Sequence, residues 1–127
     1  MTGVQTCALP ISELDRLGLG YLHVTEPIAG PAAPTGNARA LPVLRKIFTG
    51  TLIGNGGYDA ASGNAAVANR ETDLIAYGVP FLANPDLPLR YLKSAPLNQP
   101  QPATFYAGEE KGYIDYPALA ARMHASQ

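Results

Sequence analysis

The sequence is poor in the features that mark several large functional classes. It has one cysteine, Cys7, so neither an internal disulfide framework nor a cysteine-ligated zinc site is available. Charged residues make up 15% of the chain and the formal net charge is −1, which leaves no basic surface suited to nucleic acid or to an anionic membrane. No apolar run reaches the length of a membrane span. The stretch Cys7-Ala8-Leu9-Pro10-Ile11 lacks the length and the basic start of a secretory signal. A phosphate loop ending in Gly-Lys-Ser/Thr is missing, as is a GxGxxG dinucleotide fingerprint. These absences leave a cytoplasmic protein as the expectation, with no metal and with neither nucleic acid nor membrane among its partners.

What is present is one domain's worth of short elements. A length of 127 residues allows a single domain at most. The 13 glycines and 12 prolines lie between organised Leu, Ile and Val runs, the pattern of many short loops rather than of disorder. Residues 1–12 stand apart. Met1 to Ile11 shows neither helical nor strand periodicity and reads as a translated sequencing adapter, so residues 13–127 are expected to be the protein proper.

From there a strand–helix rhythm repeats. Glu13 to Leu17 ends a helix at Gly18. Gly20 to Val24 is a first strand, followed by a loop with Pro27, Pro31 and Pro34. Ala38 to Phe48 places Leu41, Leu44, Ile47 and Phe48 at helical spacing, with Arg39, Arg45 and Lys46 left for the wet face and Pro42 in the first turn. Gly50 to Gly54 is a second strand. Asp59 to Asn69 is an Ala-rich helix with Asp59 or Ser62 as its cap. Thr72 to Tyr77 is a third strand, and a short helix runs from about Leu87 to Lys93. Beyond Ser94 an extended tail with Phe105, Tyr106, Tyr113 and Tyr116 is expected to pack on something, with a last helical turn from Pro117 to His124. Strands alternating with helices give parallel βαβ units buried on both faces. A doubly wound sheet and a barrel remain equally open at this point.

Two glycine-bearing loops each follow a strand directly: Gly54-Asn55-Gly56-Gly57-Tyr58 and Tyr77-Gly78-Val79-Pro80-Phe81. Glycine lets the backbone approach an anion closely and aim successive N–H groups at it, and a helix N-terminus behind the loop adds partial positive charge. In a (β/α) barrel the loops after the last strands bind phosphate in this way. The same glycines also serve plain tight turns. His23 with Glu26 has the composition of an acid–base pair, although a histidine on an apolar strand more often plays a structural part. Asp73 and Asp86 read as helix caps, and the tail tyrosines as packing groups.

The ordered set Leu17-Gly18-Leu19-Gly20-Tyr21-Leu22-His23-Val24, Gly54-Asn55-Gly56-Gly57-Tyr58, Ala83-Asn84-Pro85-Asp86-Leu87, Thr104-Phe105-Tyr106 and Gly112-Tyr113-Ile114-Asp115-Tyr116-Pro117 resembles the Old Yellow Enzyme family of FMN-dependent NAD(P)H oxidoreductases, or ene-reductases. The likeness runs from about Glu13 to Leu119. It implies an α/β fold, a partial TIM (β/α)8 barrel comprising the last three βα units and the C-terminal tail. It also implies FMN as cofactor and NAD(P)H as reductant. The substrate class is the activated alkene, an α,β-unsaturated carbonyl or nitro compound that takes hydride from flavin N5. By motif, Gly56, Gly57, Gly78 and Val79 would hold the FMN phosphate through backbone N–H groups. Phe105 would pack on the cofactor edge, and Tyr106 would line the substrate pocket. Many members carry Arg where this chain has Val79, which removes a charge-assisted phosphate bond. The family's catalytic groups belong to earlier strands, so no catalytic residue is expected here. The chain's partner is then the N-terminal part of the same barrel, and alone it is expected to expose sheet edges, to aggregate readily and to lack activity. A small stand-alone module that binds a phosphorylated ligand without redox chemistry is the alternative.

Overall fold

The computed structural model describes residues 3–26 and 39–119, with side chains from Leu9 onward. The chain divides into two compact units, residues 1–76 and 77–127.

The first unit is built on a parallel three-stranded sheet in the order β1-β2-β3, formed by Tyr21–Thr25, Thr51–Asn55 and Leu74–Ala76. β1 pairs with β2 from Tyr21↔Thr51 to Thr25↔Asn55, and β2 with β3 from Ile53↔Leu74 to Asn55↔Ala76. All three strands therefore finish at the same end. The helices of this unit are α1 (Gly3–Arg16), α2 (Leu41–Leu44) and α3 (Ala60–Ala68). Leu41, Leu44, Phe48 and Leu52 are buried, as the helical spacing and the second strand require. Each such side chain contributes about 1.5–3 kcal/mol through burial. Gly54 allows this packing: a Cβ there would lie 2.8 Å from Leu41 Cδ1.

α1 extends well beyond the expected helix end, across a segment without periodicity. A helix shows an apolar stripe only where it buries one face, and Leu9 in α1 is 77% exposed. β1 also departs from expectation. Tyr21, His23 and Thr25 are exposed while Leu22 and Val24 are half-buried, so β1 is not enclosed on both faces within this chain. Arg45 does not belong to the wet face. It donates to the carbonyls of Phe48 and Gly50 and to Asp73 Oδ2 at 2.7 Å, closing the turn from α2 into β2.

The second unit holds α4 (Val79–Ala83), α5 (Leu87–Leu92) and a 3-10 turn at Pro102–Thr104. The tail folds back on itself instead of running extended: Gln101 N–H donates to the Tyr116 hydroxyl at 2.8 Å, and Gly112 N–H to Asp115 Oδ1 at 2.7 Å. The last helical turn expected up to His124 lies mostly outside the described residues.

Two helices end in the same way. Glu71 N–H bonds Ala66 O and Arg70 N–H bonds Val67 O; Ala95 N–H bonds Arg90 O and Ser94 N–H bonds Tyr91 O. This double bond pattern closes a helix through one left-handed residue, here Arg70 at φ 58° and Ser94 at φ 50°. Both are side-chain-bearing residues in a region that favours glycine. Arg70→Gly and Ser94→Gly are each expected to stabilise the protein by about 0.5–1 kcal/mol, the left-handed penalty less the entropy glycine loses on folding. Urea midpoints of the two variants check this.

Candidate functional site

β2 and β3 end side by side, and Asn55 Nδ2 bridges them by donating to Ala76 O at 3.0 Å. The first glycine turn leaves from Asn55. Gly56 and Gly57 have φ of 131° and 65°, and a Cβ on Gly56 would stand 2.4 Å from Glu26 O. Glycine is therefore obligatory at Gly56 for both conformation and space. The turn is tied to the end of β1: Glu26 N–H donates to Asn55 O at 2.9 Å, and Arg39 Nη1 donates to Gly56 O at 3.0 Å.

Glu26 is almost fully buried, and its carboxylate is fully engaged. Oε2 accepts from Arg39 Nη1 at 3.1 Å, while Oε1 accepts the N–H groups of Ala40 and Leu41. It has no free oxygen for acid–base work with His23, whose side chain lies on the exposed face of β1. Arg39, expected on the wet face, is instead two-thirds buried, and its guanidinium sits over the Tyr58 ring at 4.2 Å from the centroid. Burial pushes the Tyr58 hydroxyl pKa above its usual value, and the Arg39 cation opposes that shift.

The helix behind this turn adds less positive charge than expected. Asp59 caps α3 in a reciprocal box, with Ser62 N–H donating to Asp59 Oδ1 at 2.8 Å and Asp59 N–H to Ser62 Oγ at 3.0 Å. The bonds from Ser62 hold the Asp59 carboxyl below the usual range, so a negative charge already occupies that helix end. An anion at this turn would depend on the loop's own N–H groups.

The second glycine turn follows β3. Gly78 O accepts from Phe81 and Leu82 N–H at 3.0 and 2.9 Å, starting α4. α4 has only five residues, too few to supply a useful dipole. Gly78 differs from Gly56 in kind. Its φ is −82°, and a Cβ there would meet nothing within 4 Å. Among the described residues packing does not demand glycine there, and the space beside its backbone is open. Val79 is 44% exposed. Both observations fit a group that approaches from outside the chain.

Phe105 and Tyr106 follow the 3-10 turn in the second unit. Phe105 is half-buried, and Tyr106 is fully exposed. A cavity of about 240 Å³ in that unit is lined by Phe81, Leu82, Pro85, Tyr113, Ile114 and Tyr116, with neither Phe105 nor Tyr106 among them.

Asp73 and Asp86 do not cap helices. The Asp73 carboxylate accepts Leu52 N–H at 2.7 Å together with Arg45, and these bonds lower its pKa. Asp86 stands at the α5 cap position but makes no cap bond. It accepts instead from Arg90 Nε at 2.6 Å and from Leu119 N–H at 2.7 Å, and its pKa is lowered, chiefly by Arg90. Among the described residues no group of three or more His, Cys, Asp and Glu could hold a metal, and no helix is long and apolar enough to cross a membrane. His124 lies outside the described residues.

Parallel βα units with glycine turns at neighbouring strand ends define part of an α/β fold. Comparison with known proteins narrows the class. The sequence model of the "NADH:flavin oxidoreductase / NADH oxidase family" matches residues 6–98. A "12-oxophytodienoate reductase-like protein" of Solanum lycopersicum is 48% identical over 109 residues, which are 85% of this chain and 29% of that protein. "12-oxophytodienoate reductase 2" of Arabidopsis thaliana is 43% identical over 113 residues, covering 86% and 30%. Among solved structures, morphinone reductase superposes with a TM-score of 0.83 at 42% identity, over 94% of this chain and 32% of its own. The old yellow enzyme homologue from Zymomonas mobilis gives 0.82 at 34% identity, over 91% and 33%.

The chain belongs to this family, the Old Yellow Enzyme family of FMN-dependent oxidoreductases, and its fold is part of their (β/α)8 barrel. It spans about 30% of the length of the curated relatives it matches.

Proposed function

We propose that this chain is the FMN-phosphate-binding part of an NAD(P)H-dependent oxidoreductase that reduces activated alkenes. The observation that carries the reading is the contrast between the two turns. Gly56 is glycine because the turn's conformation and packing require it, whereas at Gly78 no described residue would meet a Cβ and the space beside the backbone is open. Bound FMN would supply the hydride-transferring N5. This chain's residues would hold its phosphate by backbone N–H groups of Gly56, Gly57, Gly78 and Val79, with Phe105 at the cofactor edge and Tyr106 at the substrate pocket. No residue of the chain is assigned to proton transfer, so the chain alone is expected to lack turnover. The exposed faces of Tyr21, Leu74, Val79 and Phe81 support a need for the N-terminal part of the barrel.

Flavin fluorescence titrations with FMN and with riboflavin test the reading, because the two ligands differ only by the phosphate. Tighter binding of FMN supports it, and equal binding overturns it. Tight binding of inorganic phosphate with no flavin binding would favour the module without redox chemistry. Val79 offers a gain-of-function check. Val79→Arg adds a charge-assisted donor at an exposed position and is expected to raise FMN affinity about tenfold while leaving riboflavin affinity unchanged.

A further inference from the structure

The direction of a peptide N–H is set by the carbonyl of the preceding residue, because the peptide unit is planar and trans and the two groups point opposite ways. Among the described residues there is no cis peptide bond. The N–H of Gly56 shares its peptide with Asn55 O, which Glu26 N–H holds at 2.9 Å. The N–H of Gly57 shares its peptide with Gly56 O, which Arg39 Nη1 holds at 3.0 Å. Both carbonyls are therefore pinned by the chain following β1, and both amides are turned away from their anchors. The Gly57 anchor is a side chain, and it is itself locked. Glu26 Oε2 takes the same Nη1 at 3.1 Å, and the Tyr58 ring lies under the guanidinium at 4.2 Å. A planar guanidinium bridges a carboxylate and a carbonyl in its plane while its face stacks on a ring; an ammonium group has no planar face to stack and no fixed fork of donors.

We propose that Arg39 is a positioning residue for the cofactor's phosphate: it orients the Gly57 N–H through the Gly56 carbonyl, with Glu26 and Tyr58 holding the guanidinium in place. The inference rests on the phosphate-binding reading above and deepens it. It separates two jobs that a basic residue near an anion site can do. Arg39 donates to Glu26 and to the loop's Gly56 carbonyl, and the loop meets the phosphate.

The test is the ratio of FMN to riboflavin affinity, measured by flavin fluorescence on the full chain and on Arg39→Met, Arg39→Lys and Glu26→Gln. Arg39→Met is expected to lower FMN affinity about tenfold with riboflavin unchanged, the scale of one lost charge-assisted anchor. Arg39→Lys is expected to lose nearly as much despite keeping the charge, and Glu26→Gln to lose part of it. Full discrimination in Arg39→Lys would show that charge alone matters and would overturn the positioning role. An equal loss for both ligands would overturn it too, since that marks a general structural defect. If Arg39→Met does not fold by circular dichroism, the Lys and Gln variants decide. An unchanged chain that binds both ligands equally would remove the phosphate reading itself. An unchanged chain that discriminates, beside variants that discriminate equally, would remove only the role of Arg39.

Discussion

Arg90→Met is expected to cost about 3–5 kcal/mol of stability in the second unit, the range for stripping one partner from a buried charge network. Arg90 is completely buried. Its guanidinium donates to Asp86 Oδ1, to Pro96 O at 2.6 Å and to Pro117 O at 2.8 Å, so one side chain fastens α5 to the tail. Asn84 and Asn98 complete the network: Asn98 N–H donates to Asn84 Oδ1, and Asn98 Nδ2 to the carbonyls of Ala83 and Pro117. Methionine fills similar volume but removes the donor of Asp86 Oδ1 and of Pro96 O and one of the two donors to Pro117 O. Hydrogen exchange across residues 84–98 and 117–119 reads the loss locally. Leu92→Ala, on the same helix at an 83% exposed position, is the control and should change stability by less than about 0.5 kcal/mol.

The same pair fixes a pH response. Asp86 has its folded pKa lowered, first by the bond from Arg90 and then by Leu119 N–H against the opposing effect of burial. Its contribution is present above the unfolded carboxyl value of about 3.9 and is lost as pH falls through the lower folded value. The second unit should lose stability on acidification below about pH 4. That slope should flatten in Arg90→Met, and denaturation midpoints collected between neutral and acid pH would show it.

Gly56→Ala and Gly78→Ala are expected to separate structure from binding. At Gly56 a methyl group would fall 2.4 Å from the Glu26 carbonyl oxygen in a backbone with φ 131°. The cost should lie at the upper end of about 1–3 kcal/mol, and preference for FMN over riboflavin should vanish with the turn's shape. At Gly78 the same methyl meets nothing and φ is already negative. The stability cost should stay well below that of Gly56→Ala, under about 1 kcal/mol, while FMN affinity falls and riboflavin affinity holds. A loss of stability at Gly78 as large as that at Gly56, or undiminished FMN preference in both variants, would contradict the assignment of these loops.

The strands and the apolar helix spacing were legible because burial writes itself into local periodicity. Leu41, Leu44 and Phe48 are spaced for one face and all reach the core. Asp59, one of the two caps the sequence offered for this helix, is the cap, for the same local reason. The polar residues were misread wherever their partners are distant in sequence. Arg39 and Arg45 looked solvated because Gly56 and Asp73 lie 17 and 28 residues away. Asp86 looked like a cap because position beside a helix is a local property, whereas its bond to Leu119 spans 33 residues.

The sequence by itself determined the alternation of strands and helices and the ordered motifs of a flavin oxidoreductase barrel. It also determined the two glycine turns at strand ends. Period and motif order survive without coordinates because they depend on neighbours in the chain. Only the tertiary structure decided which glycine the fold itself demands and which it leaves open, and that the helix ends behind the turns add little charge. It alone decided that Glu26 and Arg39 anchor the carbonyls behind the Gly56 and Gly57 amides. Those facts depend on where a carbonyl, a ring and a guanidinium meet in space, and residue spacing carries no record of that meeting.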